Sequence, residues 1–517
     1  MEQTQRDPRI SRRTVIGSIA GTLAAGMAGV RASSGQSATP VPDHGASAAD
    51  LDAFIAQAVE RYDVPGAAVA VVHNGAPVLI RGYGVREVGT STPVDADTIF
   101  QLASNTKPMT AFTLATLVDD GLIGWDTPII DVLPELELMD SYATRYLTLR
   151  DVLAHRSGLP AFTGDLLGTL GYDRAEMLYR LRFVAPGSSF REVAAYSNLG
   201  YFIAGEVIDR LTGARWEEAM RGRLFEPVDM IRSGPAIGEL ADDNAALPHA
   251  EIDGEMVVVE RDLHGVHGAA GSAYSTANDL ARWMQMLLDQ GAVDGRQVVK
   301  PERVEEMFAP SMVSEISFTE TPPISDESGF SYGLGWGTFH TRGYTVLEKG
   351  GALAGVRTVV NLVPELGYGI AVVANRNLTF LPEAVRAFAL EALLGTDDSG
   401  TQEEIASAEA AINAVFAAPP PEGDAIPVTV PLDALTGAYE NELYGRVVVW
   451  YDAGTLQLEA GPAGWPATLK HLSRDTYLLD WGSVTSIPEP TTFVLGPDGI
   501  AVGFENDSLG RFNRVQA

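Results

Sequence analysis

Cysteine is absent from the 517 residues, and only four lysines occur: Lys107, Lys300, Lys349 and Lys470. The first absence excludes disulfides, thiolate metal sites and a lipidated cysteine anchor. The second leaves arginine to supply 36 − 4 = 32 of the basic residues. Positive charge as a whole is scarce: 36 basic residues face 68 acidic ones, a net charge of −32. Nucleic acid is not an expected partner, because phosphate binding needs a basic surface. The acidity fits plain solubility, or a high-salt habitat in which salt screens the self-repulsion of a carboxylate surface. Arginine in place of lysine fits that habitat or a GC-rich genome. A membrane-length apolar run is also lacking near the start. The Gly/Ala-rich stretch Val15 to Val30 falls short of the ~20 residues a spanning helix needs. It follows Ser11-Arg-Arg-Thr-Val-Ile16, a twin-arginine signal, so residues 1–38 read as an export address with cleavage after Ala32 or Ala38. Extracellular, cell-surface or periplasmic localisation is the expectation, with no stable membrane span after removal. An uncleaved anchor is the alternative.

What is present is organised around Gln101-Leu-Ala-Ser-Asn-Thr-Lys-Pro-Met-Thr-Ala-Phe-Thr-Leu-Ala-Thr-Leu-Val-Asp-Asp-Gly121. Leu114, Leu117 and Val118 recur at helical spacing, and Gly121 is a stop signal. Pro108 would clash with the carbonyl four residues back, so regular helix begins near Ser104. Ser104 and Lys107 are three apart and share a face, with ~5–6 Å between Cβ atoms. A serine hydroxyl becomes a nucleophile when a neighbour takes its proton. A lysine does so once burial or a nearby cation brings its pKa down. Ser104/Lys107 is the only Ser-x-x-Lys in the chain.

The length allows two or three domains. A helix is expected over Asp50–Tyr62, then strands Gly66–His73 and Pro77–Gly84 joined at Asn74-Gly75, a hairpin signal. Residues 147–160 read as a short helix closed by Gly158 and Pro160, with His155 a structural histidine. Tyr196-Ser-Asn198 stands at the entrance of a helix carrying Ile203, Val207, Ile208 and Leu211. A phenol near a lysine cation can act as base or acid, and an amide two positions on can hold a substrate carbonyl. Tyr439-Glu-Asn441 has the same spacing in a strand context. Another capped helix runs from Ser275 through Leu288. His264 and His267 precede it without the third ligand a metal site needs, so no metal or other cofactor is expected. Short strands follow at Phe330–His340, Tyr344–Glu348, Thr358–Val363 and Gly369–Asn375, with Lys349-Gly-Gly351 read as a joint, and then a helix over 382–394. A helix Glu403–Val415 and a proline-rich linker lead to about eight short β-runs in 431–517, a small barrel or sandwich. Gly329-Phe-Ser-Tyr-Gly333 matches the nucleophile elbow of α/β-hydrolases. That elbow requires a helix after its serine, and Tyr332-Gly-Leu-Gly-Trp-Gly337 is a poor helix, so the match reads as accidental.

Ser104-x-x-Lys107, Tyr196-Ser-Asn198 and Lys349-Gly-Gly351, in that order, resemble the motif set of the serine β-lactamase and penicillin-binding protein superfamily. The likeness is to the class C β-lactamase-like serine hydrolases, and it covers about residues 50–396. Leu153-Ala-His-Arg-Ser-Gly-Leu-Pro160, Ala270-Gly-Ser-Ala-Tyr-Ser-Thr-Ala-Asn-Asp-Leu280 and Tyr332-Gly-Leu-Gly-Trp336 extend it between the motifs. The tail from Leu435-Thr-Gly-Ala-Tyr-Glu440 resembles the β-rich domain attached to many such hydrolases.

The resemblance implies an α/β (α+β) chain. An antiparallel sheet covered by helices, with an all-helical subdomain, would span 46–396. A helix and linker at 397–430 and a β-domain at 431–517 would follow. It implies an acylated nucleophile at Ser104, proton transfer shared by Lys107 and Tyr196 with the base left open, and substrate orientation by Asn198. Lys349 would supply positive charge from an edge strand, and the backbone N–H groups of Ser104 and Ala352 would form the oxyanion hole. Gly350 and Ala352 stand where relatives carry hydroxyls that bind a β-lactam carboxylate. That departure points away from an efficient β-lactamase, toward an esterase, D-aminopeptidase or carboxypeptidase acting on a small molecule or short peptide. A penicillin-recognising binding or sensor protein that acylates without turnover, or a weak β-lactamase, is the alternative.

Overall fold

The computed structural model describes residues 47–240, 243–263, 265–314, 327–396, 400–417, 426–452, 454–483 and 487–516. Residues 1–38, read above as an export address, His264 and the proline run after Ala417 lie outside the described residues.

The chain enters through α1 (Ala48–Arg61), whose start is fixed by a capping box between Ser47 and Asp50. The hairpin β1 (Gly66–His73) and β2 (Ala76–Gly84) turns at Asn74-Gly75, both at positive φ, as the dipeptide required. A mostly helical stretch then holds α2 (Thr106–Asp119), α3 (Asn198–Thr212) and α4 (Ala277–Leu288). The sheet resumes with β3 (Met312–Val313), β4 (Ser328–Tyr332), β5 (Gly337–Thr341), β6 (Tyr344–Leu353), β7 (Val356–Val363) and β8 (Tyr368–Ala374). Its order is β2-β1-β8-β7-β6-β5-β4-β3, antiparallel throughout. Two helices follow, α5 (Leu381–Leu394) and α6 (Thr401–Ala417).

Strand period 2 sorts the sheet's side chains between two cores. Ala68, Ala70 and Val72 of β1, with Ala371 and Val373 of β8, face the helical side and share a core with Phe112 of α2 and Trp283 of α4. Ala67, Val69 and Val71, with Ile370 and Val372, face α1 and α5. Helix α6, grouped with the linker from sequence, packs onto α5: Ile405 joins that second core, and the Glu409 carboxylate accepts from Phe380 N–H beside the start of α5.

Three sequence expectations are corrected. Phe330–His340 is two strands, not one, because the chain turns at Gly333–Trp336 between β4 and β5. Lys349-Gly-Gly351 is no joint: it lies inside β6, which continues to Leu353. The helix in 147–160 covers only Leu149–Leu153, and His155 beyond it sits at φ +56°.

The tail closes into a barrel of eight sequential antiparallel strands: β9 (Gly437–Asn441), β10 (Gly445–Asp452), β11 (Thr455–Ala460), β12 (Trp465–Ser473), β13 (Thr476–Asp480), β14 (Glu489–Leu495), β15 (Ala501–Asn506) and β16 (Gly510–Val515). Ring contacts among Tyr439, Tyr477, Phe493, Phe504 and Phe512 lie in the packed interior. The closed form, rather than a sandwich, leaves no sheet edge.

Candidate active site

Ser104 sits in a one-turn 3-10 segment, Ala103–Asn105, that runs directly into α2. Ala103 is buried at φ +50°, a backbone position that costs a non-glycine residue energy and is held by its surroundings. The Thr106 hydroxyl donates to Ala103 O at 2.7 Å and accepts from Ala273 N–H at 3.0 Å. The Thr358 hydroxyl on β7 donates to Leu102 O at 2.9 Å and accepts from Asn105 Nδ2 at 2.8 Å. Both bonds cross-link the turn to the body of the fold. Helix α2 is buried on every side from Thr106 to Leu117, not on one stripe, so the turn it carries has a rigid base.

Lys107 is fully buried, and its Nζ donates to Ser104 Oγ at 3.0 Å, Asn198 Oδ1 at 2.7 Å and Ala270 O at 3.0 Å. Two of these acceptors, an amide oxygen and a peptide oxygen, take N–H whatever the charge on the amine. They hold Nζ so that its remaining valence points at Ser104. As ammonium that valence is an N–H; as amine it is the lone pair that can receive the serine proton. Asn198 in turn donates from Nδ2 to Asp165 Oδ2 at 2.9 Å.

Tyr196 precedes the N-cap of α3, where Ser197 accepts from Gly200 N–H. Its loop is anchored by Asp151, a fully buried carboxylate paired with Arg156 at 2.7 Å and with Arg191 at 2.7 Å. Lys349 Nζ donates to the Tyr196 hydroxyl at 3.1 Å, and Lys107 Nζ stands 4.7 Å from the centre of the Tyr196 ring. The phenol therefore lies between two amines that come from separate layers of the fold. His155 is buried beneath it, ring centres 4.4 Å apart, and its Nδ1 accepts from Ser197 N–H at 3.1 Å. Burial, then Lys107 and Lys349, hold the imidazole well below its usual pKa, so it is neutral. This matches a structural histidine. Tyr201 and Tyr332 pack on the same ring, with hydroxyls that burial pushes far above the usual phenol range.

Lys349 lies inside the sheet rather than on an edge strand, since β6 runs between β5 and β7. Pairing with β5 nevertheless stops at Glu348, so Lys349 to Leu353 pass the nucleophile turn with that flank open. Gly351 makes the closest approach: a Cβ there would lie 2.5 Å from Thr358 Oγ1, 2.6 Å from Leu102 O and 3.0 Å from Ala103 Cβ. Ala352, next along the strand, is exposed. At Gly335, φ +92°, a Cβ would lie 2.8 Å from Pro108 Cα, which explains the Gly-Leu-Gly-Trp turn. Ser331 is far from an elbow. It lies in β4, bonded to the Thr338 hydroxyl, and a turn and a strand follow it. Tyr439 is likewise internal to the barrel, donating to Leu435 O at 2.6 Å.

The structure thus brings Ser104, Lys107, Tyr196, Asn198 and Lys349 together. Sequence reasoning had not singled out Asp165, Tyr332 or Thr358. His267 is buried beside Phe202, and among the described residues no three His, Asp or Glu side chains group as metal ligands. No described helix is long and apolar enough to cross a membrane.

Comparison with known proteins identifies the family and the fold. The β-lactamase family profile matches residues 51–394, and a domain of unknown function, DUF3471, matches 423–513. An unguisins hydrolase of Aspergillus campestris (strain IBT 28561) is 26% identical over 489 residues, 87% of each chain. Penicillin-binding protein 4 of Amycolatopsis lactamdurans is 31% identical over 335 residues, 61% of this chain and 84% of that one. The fold is shared with an octameric penicillin-binding protein homologue from Pyrococcus abyssi, TM-score 0.58 at 22% identity over 90% of this chain and 99% of the other. It is also shared with SurE, TM-score 0.55 at 21% identity over 91% and 99%.

Proposed function

The chain belongs to the β-lactamase family and is a serine hydrolase; we propose that it is exported and opens small esters, amides or D-amino-acid peptides through an acyl-enzyme on Ser104. The observation that carries this reading is the triple fixation of Lys107 Nζ, which aims one valence at Ser104 Oγ. In the acylation step a base takes the Ser104 proton as Oγ bonds to the substrate carbonyl carbon. Lys107 in its amine form, bonded to Ser104 Oγ, and Tyr196, whose oxygen accepts from Lys349, are the two candidate bases. The carbonyl oxygen becomes an oxyanion, held by the N–H groups of Ser104 and Ala352, each worth ~2.7–4 kcal/mol. Collapse expels the alcohol or amine, which takes the proton back. Water then repeats the sequence on the ester, with the same base removing its proton, and frees the acid and Ser104.

Gly350 and Ala352 offer no hydroxyl to a substrate carboxylate beside Lys349, which favours esters and peptides of other specificity over β-lactams. The likeness to a penicillin-binding protein keeps one second reading in view, acylation without turnover. Export rests on the twin-arginine leader in residues 1–38. The test is fluorophosphonate and fluorescent-penicillin labelling of the purified protein, with a panel of esters and D-aminoacyl amides. Ser104→Ala is expected to lose both label and hydrolysis, while Ser331→Ala keeps both. Label without product would favour the sensor, and activity surviving in Ser104→Ala would end the reading.

A further inference from the structure

Asp165 and the barrel bear on the catalytic centre in a way that no motif announces. Asn198 can serve Lys107 only with its amide oxygen inward, because an inverted amide would set NH₂ against an N–H donor. The amide has no intrinsic preference between the two orientations. Asp165 supplies one: its Oδ2 accepts from Asn198 Nδ2 at 2.9 Å, and a carboxylate cannot donate. The inward oxygen, 2.7 Å from Lys107 Nζ, fits that preference.

Asp165 does not hold itself. It begins the short helix Leu166–Thr169, in a segment that lies between α3 and the barrel. On the barrel side, Gly164 N–H donates to the Tyr444 hydroxyl at 3.3 Å, and the Tyr172 hydroxyl donates to Tyr444 O at 3.1 Å. Arg180 Nη1 donates to Glu442 O at 2.8 Å and to Leu443 O at 2.9 Å. Ala463 N–H, in the next barrel loop on that side, donates to Leu170 O at 2.9 Å. One apolar core runs without a break from Leu167, Leu170 and Tyr172 into Leu443 and Tyr444. Within the barrel, Asn441 Oδ1 accepts from Leu443 and Tyr444 N–H and so shapes the loop that presents Tyr444.

We propose that Asp165 is a positioning residue that fixes the Asn198 amide toward Lys107, and that the C-terminal barrel, through Tyr444, holds the segment that carries it. The barrel is then part of the hydrolase's catalytic apparatus although it contributes no reacting group. This rests on the Ser104 acyl-enzyme reading above.

The test is a double-mutant cycle in the full chain, with ester hydrolysis and the rate of fluorophosphonate labelling as readouts and the thermal midpoint as a folding control. Asp165→Ala is expected to lower kcat and labelling about a hundredfold, the scale of a misplaced catalytic group, with KM changed little. Asp165→Asn, which keeps an acceptor oxygen, is expected to recover most of that loss. Tyr444→Ala is expected to lower kcat in the same direction, and the Asp165→Ala/Tyr444→Ala protein is expected to be no slower than Asp165→Ala alone, because coupled residues are not additive. Asp165→Ala with kcat within twofold of the parent would overturn the positioning role. Losses that multiply in the double variant would overturn the barrel's part in it. A parent protein that neither labels nor hydrolyses would remove the reading on which both depend, and that outcome is distinct from either.

Discussion

Replacing Gly351 by alanine is the smallest change that tests how the sheet supports the nucleophile. The added methyl would lie 2.5 Å from Thr358 Oγ1 and 2.6 Å from Leu102 O, distances that real Cβ atoms do not adopt. Neither neighbour is the loose end of a long side chain. Leu102 O is backbone, and Thr358 Oγ1 is the acceptor for Asn105 Nδ2 and the donor to Leu102 O. Overpacking of this kind costs ~1–3 kcal/mol. Loss of the two Thr358 bonds adds ~0.5–1.5 kcal/mol each, for a total of roughly 2–6 kcal/mol. The strain falls on Leu102 to Asn105, so Ser104 moves with it. A displacement near 1 Å costs about a hundredfold in rate. The assays are urea unfolding and steady-state ester hydrolysis on Gly351→Ala, Thr358→Ala and the double variant. Thr358→Ala alone loses the cross-link but makes room, so the double variant should lose less stability than the sum of the single ones. Unchanged unfolding and kcat in Gly351→Ala would refute the claim that this glycine is required by close approach.

Two further outcomes follow from other parts of the molecule. Burial above all, with Glu383 nearby, pushes the Glu409 carboxyl from 4.5 up to about 7, against the opposing pull of the Phe380 N–H bond and Arg376. A raised folded pKa gives a contribution to stability that is complete below 4.5 and lost as pH rises through about 7. Glu409→Gln, which keeps an acceptor for Phe380 N–H, should therefore gain on the parent in urea midpoint between pH 5 and 8; parallel pH profiles would refute it. For export, a reporter joined to residues 1–38 should be retained inside the cell when Arg12 and Arg13 are both changed to lysine, and unchanged secretion would exclude the twin-arginine route.

The fold was legible wherever one element's own periodicity settled it. Helix α1, the β1–β2 hairpin and the β8 strand follow from apolar spacing and from Asn74-Gly75. The barrel strands were legible as short alternating runs, but closure was not. Whether β9 pairs with β16 is decided by strand tilt and stagger around the whole circuit, which no local window contains. Two of the misread places, Gly333–Trp336 and Lys349–Gly351, fail in opposite directions: the glycines of the first were read through as strand, and those of the second as a break. At Gly351 glycine marks where backbone must approach the nucleophile turn inside an unbroken strand. At Gly335 it marks a real turn, pressed against Pro108. The residue type is the same, and only the neighbour tells the two apart.

The site divides along the same line. Ser104 and Lys107 could be paired from sequence because one helical turn joins them. Tyr196 and Asn198 could be placed beside each other by a helix entrance. What no spacing contains is the direction of Asn198's amide. It is fixed by Asp165, 33 residues earlier, in a segment gripped by Tyr444, 280 residues beyond Gly164. Orientation of an amide is a matter of which neighbour can only accept and which can only donate. That information enters when separate layers meet, here the helical subdomain and the barrel. A chemistry written in short motifs thus depends on residues that carry no motif, and the inventory of reacting groups understates the part of the chain that catalysis needs.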